Sequence, residues 1–540
     1  MKSKKLLSLL LATSMAVTVF AGCGGSGSSN GGNTGTPSSD ASGETNAASA
    51  SGESSTGTDT GSLPALDTSE QVEVVMYCLG TEPAGQQQIW DKLNEILLEK
   101  LNCTLKVNYI SFADYPNKYP LLFSSGEEFD IAYAASWLNY PSLAKKGAFM
   151  ELDELWPTYA PNNYALATET AKKQAQLDGV TYCVPSLNRT YSAYGPIYRK
   201  DLVEPYGFDK EIENFEDMEE YMDIIKENYP EMQPLSIYSM GSEVDDAFMY
   251  FNGMYPIKGS QNDFFWIDPS EENPKIMTYY EYEKTPEFLE MMTRWNEKGF
   301  FPKSALSDTD SSKFKNGVAS MLVHNNDSYV GSAIEHPEWN VTYANFAKDI
   351  SNLSFTQDAM VISNTSKNPE RALAVWDLLT TDQEVFNLFY YGIEGVSYEV
   401  NDKNQVKMLD PDNFGTSSMW AVRNSDFVLD SVGTPDSYEA LKETWDSQIK
   451  EGEGAQKYRS FVPDTSAVET QYSACLNAHQ QYWWPLELGY TEAESGLEEY
   501  KKMMEAAGIE EVRAELQAQS DYGMDQSGGL KSHGLYFGCF

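Results

Sequence analysis

The chain has 540 residues and carries 81 acidic against 38 basic side chains, a formal net charge of −43. Phosphate backbones are bound by basic surfaces, so this balance argues against any nucleic-acid partner and points to a well-solvated protein. Six cysteines without a CxxC pair and four scattered histidines without zinc-ligand spacing argue against a disulfide scaffold and a zinc site, and no metal or cofactor is expected.

The first residues have the three parts of a secretion signal. Lys2, Lys4 and Lys5 give a positive start, 6–20 is largely apolar, and Ala21 and Gly22 precede Cys23. The run is shorter than the ~20 apolar residues that a spanning helix needs, so 1–22 reads as a cleaved signal peptide. The stretch VFAGC (19–23) resembles the lipobox of bacterial lipoproteins, with Phe20 where Leu is usual. The resemblance implies that Cys23 becomes the mature N-terminus and carries acyl chains that tether the protein to a membrane. Residues 24–62 are almost entirely small or polar, with no aromatic and no large aliphatic side chain. Such a segment cannot offset the entropy of ordering, and as a flexible linker, 23–62 would reach roughly 30–40 Å. No later segment is apolar enough to span a bilayer.

The folded body starts near residue 63 and is long enough for two lobes. Residues 71–77 (QVEVVMY) read as a strand and 84–101 as an amphipathic helix, with Ile89, Trp90, Leu93, Ile96, Leu97 and Leu101 on one face. Residues 104–110 and 129–134 read as two more strands. This alternation predicts a parallel sheet with right-handed crossovers, whose ligands bind beyond the carboxyl ends of the strands, at 79–83 and 134–140. Cys78 and Cys103 lie near the starts of two neighbouring strands, as a bridge or as buried thiols. The segment 182–199 (YCVPSLNRTYSAYGPIYR) is extended and Pro-broken, as a crossing between lobes would be. A helix follows with Asn214 as its cap, and another runs from Thr285 to Gly299. Residues 318–324 form a buried strand, and 355–363 (FTQDAMVIS) a return crossing. Helices then run from Asn368 to Leu379 and on to Tyr391. A third crossing precedes Trp420. The Asp308, Asp310 and Ser312 spacing begins like a calcium loop, but Lys313 stands where the turn glycine belongs and Ala319 where the bidentate Glu belongs.

Four stretches resemble the extracellular solute-binding proteins of bacterial carbohydrate-type ABC importers, solute-binding family 1-like, in the branch with a C-terminal domain of formerly unknown function. They are SSGEEFDIAYAASWLNYPSLAKKGAFMELDELWPTYAP (124–161), YCVPSLNRTYSAYGPIYRKDL (182–202), SKNPERALAVWDLLTTDQEVFNLFYYGIEGVSY (366–398) and VPDTSAVETQYSACLNAHQQYWWPLELG (462–489). AAGIEEVRAELQAQ (506–519) resembles the same C-terminal domain. The resemblance implies an α/β, two-lobe periplasmic-binding-protein-like (type II) fold with a multi-strand hinge, closing on its ligand. Lobe 1 is expected over 63–190 plus 357–412, and lobe 2 over 191–356 plus 413–520 including the C-terminal domain. Residues 521–540 form an irregular tail.

A sugar has apolar C–H faces and many hydroxyls, so its site needs flat aromatic platforms and directed polar groups. The candidates are Trp137 beyond a strand end, with Tyr133, Ser136 and Asn139 in its loop; Asn188, Arg189, Tyr191 and Tyr194 in the first crossing; and Gln357 and Asp358 in the return crossing. Glu394, between Gly392 and Gly395, and Trp420 complete the set. Each has a structural reading too, as hinge or interlobe packing. No nucleophile elbow, Walker motif or zinc motif occurs in the folded body, and the chain is not expected to be an enzyme. The expected role is a monomeric, lipid-anchored receptor on the outer face of the cytoplasmic membrane, binding a saccharide and serving ABC permease subunits. The alternatives are a peptide-binding receptor, a cell-surface glycan-active enzyme and a structural lipoprotein.

Overall fold

Strand β1 (Val72–Leu79) buries Val74, Met76 and Cys78, and pairs in parallel with β2 (Cys103–Ile110) from Val72 opposite Cys103 to Leu79 opposite Ile110. Between them, α1 (Gln86–Leu101) places Ile89, Trp90, Leu93 and Leu97 against the sheet at helical spacing. It stops at Asn102 in the left-handed region (φ 48°), whose amide bonds back to the last turn. After α2 (Tyr115–Ser124), β3 (Ile131–Ala134) joins β1 in parallel and is buried on both faces, as the centre of a covered sheet must be. These elements come from a computed structural model that describes residues 66–525, apart from 112–113, 139, 239–242, 258–263, 412 and 416–418. The signal, Cys23, the linker, Asn139 and 526–540 lie outside the described residues.

The first sheet is completed from far along the chain. Strand Ala359–Ile362 returns antiparallel to β3, and the short strand Val184–Pro185 lies on its other side, giving five strands. The second sheet has four strands in the order Val341–Tyr343, Tyr194–Arg199, Ala319–Asn325, Gln233–Leu235. Its helices begin and end where expected: Asn214 accepts from the Asp217 amide at 2.9 Å to cap Phe215–Asn228, and Gly299 (φ 70°) ends Thr285–Lys298. Each sheet has its own apolar core. The C-terminal helices Asp436–Gln448, Glu469–Ala478, Ala493–Ala507 and Ile509–Asp525 follow, and Trp445, Cys475, Trp483, Tyr500 and Val512 share the second core.

Two crossings pair with each other. Tyr191 bridges Asn352 antiparallel, Ser192 N–H donates to Ser351 O at 2.9 Å, and Leu353 N–H donates to Thr190 O at 3.0 Å. The boundary expected at 412 is corrected. Phe414, Met419, Ala421 and Val422 are buried in the first core, and Asn424 Nδ2 donates to Thr380 O at 2.9 Å, so the chain stays with lobe 1 until the approach to helix Asp436–Gln448. The cysteine placement is corrected as well. Cys103 opens β2, whereas Cys78 sits near the end of β1 opposite Tyr109. That register puts them roughly 20 Å apart along the strands, and both are buried free thiols. At the false calcium loop the Lys313 ammonium, 4% exposed, lies 2.7 Å from Asp308 Oδ2 and donates to Ile237 O at 2.6 Å. No cluster of three metal-ligating side chains and no helix long and apolar enough to cross a membrane occurs among the described residues.

Candidate functional site

A cavity of about 600 Å³ lies between the lobes, beside the paired crossings. Its first wall belongs to lobe 1: Ser136 and Trp137 just past β3, Gln357 and Asp358 just before the returning strand, then Tyr390 and Trp420. Trp137 is fixed from behind. Its indole N–H donates to Gln357 O at 3.0 Å, and the Tyr115 ring meets it edge-on at 6.0 Å. Tyr133, buried beneath, meets Trp137 at 6.2 Å and Trp420 at 6.0 Å, so one ring sets the positions of both.

Asp358 is tied on both oxygens. Tyr133 donates to Oδ1 at 2.5 Å and Arg423 to Oδ2 at 2.7 Å. Burial, then the Asp358 charge, pushes the Tyr133 hydroxyl well above the usual phenol range, which keeps it a donor. Burial disfavours the charge on Arg423, but Asp358, Tyr390 and Asp327 more than offset it, and the guanidinium holds its proton more tightly than in water.

The second wall belongs to lobe 2. The Tyr194 ring, at the start of its strand, stacks between Tyr250 (5.6 Å) and His324 (5.8 Å). Its hydroxyl donates to Glu243, and burial followed by that carboxylate raises it well above the ordinary range. Glu243 has φ 58°, unusual for a side chain of its size, and starts helix Val244–Phe251. Strand Ala319–Asn325 ends in the cavity, where Asn325 caps the next helix by accepting from Ser328 N–H at 3.0 Å, and Ser328 Oγ lies 2.8 Å from His324 Nδ1. The crossings supply Thr190, Tyr191, Ser192, Leu353 and Ser354. Tyr191 donates to Asp446 Oδ1 at 2.9 Å, and burial with that bond pushes its hydroxyl up to about 12.

Of the expected residues, Ser136, Trp137, Tyr191, Tyr194, Gln357, Asp358 and Trp420 line this one cavity. Tyr133 lies beneath it, and Asn188, Arg189 and Glu394 do not line it. Asn188 fastens a loop: its amide donates to Ser186 Oγ at 3.1 Å and its Oδ1 accepts from Ser425 at 3.2 Å. Its neighbour Arg189 pairs at 2.8 Å with Asp446, the carboxylate that Tyr191 also holds. Glu394 is exposed on a turn outside the cavity. There Gly392 (φ 93°) lets the turn press on α1, since a Cβ would meet Ser397 Oγ at 2.6 Å and Ile89 Cδ1 at 2.8 Å. Gly392 serves that contact, whereas at Gly395 (φ 77°) a Cβ would meet nothing within 4 Å, so only the backbone turn calls for a glycine there.

Sequence reasoning missed Glu243, Asp246, Asn325 to Ser328, Arg423 and Arg459. The segment after 318–324 carried a usable signal, because it follows the carboxyl end of a buried strand. Glu243 and Arg423 sit in aperiodic stretches that carry none.

Comparison with known proteins places this geometry among relatives. Residues 81–385 match the model of the bacterial extracellular solute-binding protein family, and 457–522 match a domain of unknown function (DUF3502). A Streptococcus pneumoniae serotype 4 protein described as a carbohydrate ABC transporter substrate-binding protein is 26% identical over 488 residues, covering 85% of this chain and 92% of that one. The crystal structure of the N-glycan transport solute binding protein NgtS from Streptococcus pneumoniae with Man1GlcNAc has a TM-score of 0.71 at 23% identity, covering 84% of this chain and 100% of that chain. The same protein with Man5GlcNAc gives 0.68 at 24% identity, over 85% and 99%. These likenesses show the two-lobe fold.

Proposed function

The chain belongs to the family of bacterial extracellular solute-binding proteins, and we propose that it is the lipid-anchored receptor of an ABC importer, capturing a sugar or oligosaccharide between its lobes and passing it to the permease. The observation that carries this reading is the pairing of aromatic faces across the cavity. Trp137 and Trp420 stand on one lobe and the Tyr250, Tyr194 and His324 stack on the other. Between and around them are carboxylates, amides and a guanidinium, the groups that direct hydrogen bonds to hydroxyls. A ligand touching both lobes stabilises the closed arrangement in proportion to the contacts it makes only there. The curated relative is a carbohydrate receptor and the similar crystal structures hold mannose–N-acetylglucosamine saccharides, which supports the ligand class. No covalent chemistry is asked of the chain. Cys23 would hold the body at the outer face of the cytoplasmic membrane, as a monomer on a flexible linker.

Thermal-shift and calorimetric titration with Man1GlcNAc, Man5GlcNAc, other saccharides and a peptide panel test the reading. A saccharide at a hundredfold excess over Kd adds about 2.7 kcal/mol of stability. Response to peptides alone replaces the sugar reading with a peptide receptor, and glycan turnover by purified protein replaces it with an enzyme. A Cys23→Ala variant should be released or unprocessed while its folded body binds normally.

A further inference from the structure

The domain of unknown function matched over 457–522 begins inside the cavity. Arg459, Phe461 and Val462 form part of the lining, although the helices that follow are buried in the second core. The Arg459 side chain is 10% exposed and is held by Glu451 at 3.0 Å and by Asn352 Oδ1, on a crossing, at 3.4 Å. A guanidinium carries five donors in one plane, more than those two contacts occupy. Phe461 adds an apolar ring beside it.

The chain leaving this wall is fastened on two sides. From lobe 2, Asp464 N–H donates to Gln519 Oε1 at 2.9 Å and Gln519 Nε2 donates to Asp464 O at 2.7 Å, which ties the segment to the last helix. From lobe 1, Lys145 pairs with the Asp464 carboxylate, Lys146 pairs with Glu469 at 2.5 Å, and Gln174 Nε2 donates to Ser460 Oγ at 2.8 Å. Gln174 Oε1 also accepts from Phe355 N–H on the return crossing at 2.8 Å. The Asp464 side chain is only 11% exposed, and Asp178 lies 3.5 Å from Lys145 on the other side, so the ammonium sits between two carboxylates. One short segment therefore touches the cavity, a crossing and both lobes.

We propose that residues 459–462 are a ligand-contacting wall supplied by the C-terminal domain, and that Lys145 with Asp464 positions this wall against lobe 1. The wall rests on the solute-capture reading; the brace does not. Arg459 offers donors to ligand oxygens and Phe461 a face to ligand C–H groups. Lys145 and Asp464 are positioning residues that touch no ligand.

The test uses the full chain and two probes, Man1GlcNAc and Man5GlcNAc. Arg459→Met and Phe461→Ala should each raise Kd about tenfold or more, while circular dichroism shows the ligand-free fold retained. Lys145→Met and Asp464→Asn should speed amide hydrogen exchange over 459–469 in the ligand-free protein and raise Kd by a smaller factor. Wild-type Kd in both Arg459→Met and Phe461→Ala overturns the wall. Unchanged exchange over 459–469 in both brace variants overturns the brace. If the wild type binds neither of these saccharides nor any other of the saccharide panel, the sugar-capture reading fails and the wall with it, while the exchange experiment still decides the brace; if it binds another saccharide, the wall variants are read with that one.

Discussion

At the scale of single residues, position in the fold separates the candidates that reached the cavity from those that did not. Trp137 follows a strand's carboxyl end and Asp358 lies on a crossing, and both were legible because topology alone sends such residues to the cleft. The glycines flanking Glu394 are a signal with two physical meanings. Here the close approach is to Ser397 and Ile89. Calorimetric titration should therefore separate the two: Trp137→Ala weakens saccharide binding by roughly one to two orders of magnitude, and Glu394→Gln binds as the wild type does. Equal losses in both would place the ligand elsewhere. A second prediction concerns acid stability. Burial alone would raise the Glu219 carboxyl, but hydrogen bonds from Arg294 (2.8 Å), Lys298 (2.7 Å) and the Trp295 indole (3.0 Å) bring it down to about 2 from an ordinary 4.5. The folded state thus binds this proton less readily than the unfolded chain. Its contribution is fully present above pH 4.5 and is lost as pH falls from 4.5 towards 2. Glu219→Gln should be less stable at neutral pH, and its urea midpoint should fall less than that of the wild type between pH 5 and pH 2.5. A parallel fall would show that the cluster contributes nothing.

At the scale of elements, the sequence pattern located β1, α1, β2, β3 and the two capped helices of the second lobe to within a few residues, because most bury one face at regular spacing and β3 is a short apolar run buried on both. The third crossing was misplaced for the opposite reason. Phe414, Met419, Ala421 and Val422 enter the first core from irregular chain, at spacings that match neither helix nor strand. Pairing between crossings was equally hidden, since it depends on two stretches more than a hundred residues apart, Thr190 to Ser192 and Ser351 to Leu353. Gly195 shows how tightly the same ribbon continues into the second sheet. A Cβ there would stand 2.0 Å from Ala344 O and 3.0 Å from Phe346 N, both backbone atoms that no side-chain rotation can move aside. Gly195→Ala should then cost about 2–4 kcal/mol in denaturant unfolding, in the range of overpacking with a backbone shift. Because Tyr194 is its neighbour, saccharide affinity should fall in the same variant. Wild-type stability would mean that the second chain yields without cost.

At the scale of the whole molecule, two sheets with separate apolar cores share one polypeptide, and the links between them are mostly polar: the paired crossings, the Arg423 contact to Asp327 (3.6 Å), and the segment from Ser460 to Glu469. Polar contacts of this kind contribute on the order of 1 kcal/mol each, far less than either core, so the lobes should be separable in unfolding. Leu93 is fully buried in the first core, on α1. Leu93→Ala leaves a cavity there and should cost about 2–5 kcal/mol, all of it from lobe 1. Scanning calorimetry of this variant should show an early transition for lobe 1 and a later one for lobe 2 with its C-terminal helices. A saturating saccharide, bridging Trp137 and Trp420 on one side to Tyr194 and Tyr250 on the other, should move the early transition up towards the late one, because the complex binds only when both lobes are folded. A single sharp transition that shifts as a whole in Leu93→Ala would show that the crossings couple the lobes more strongly than their hydrogen bonds account for. Two transitions that ligand leaves apart would show that the ligand is held by one lobe alone.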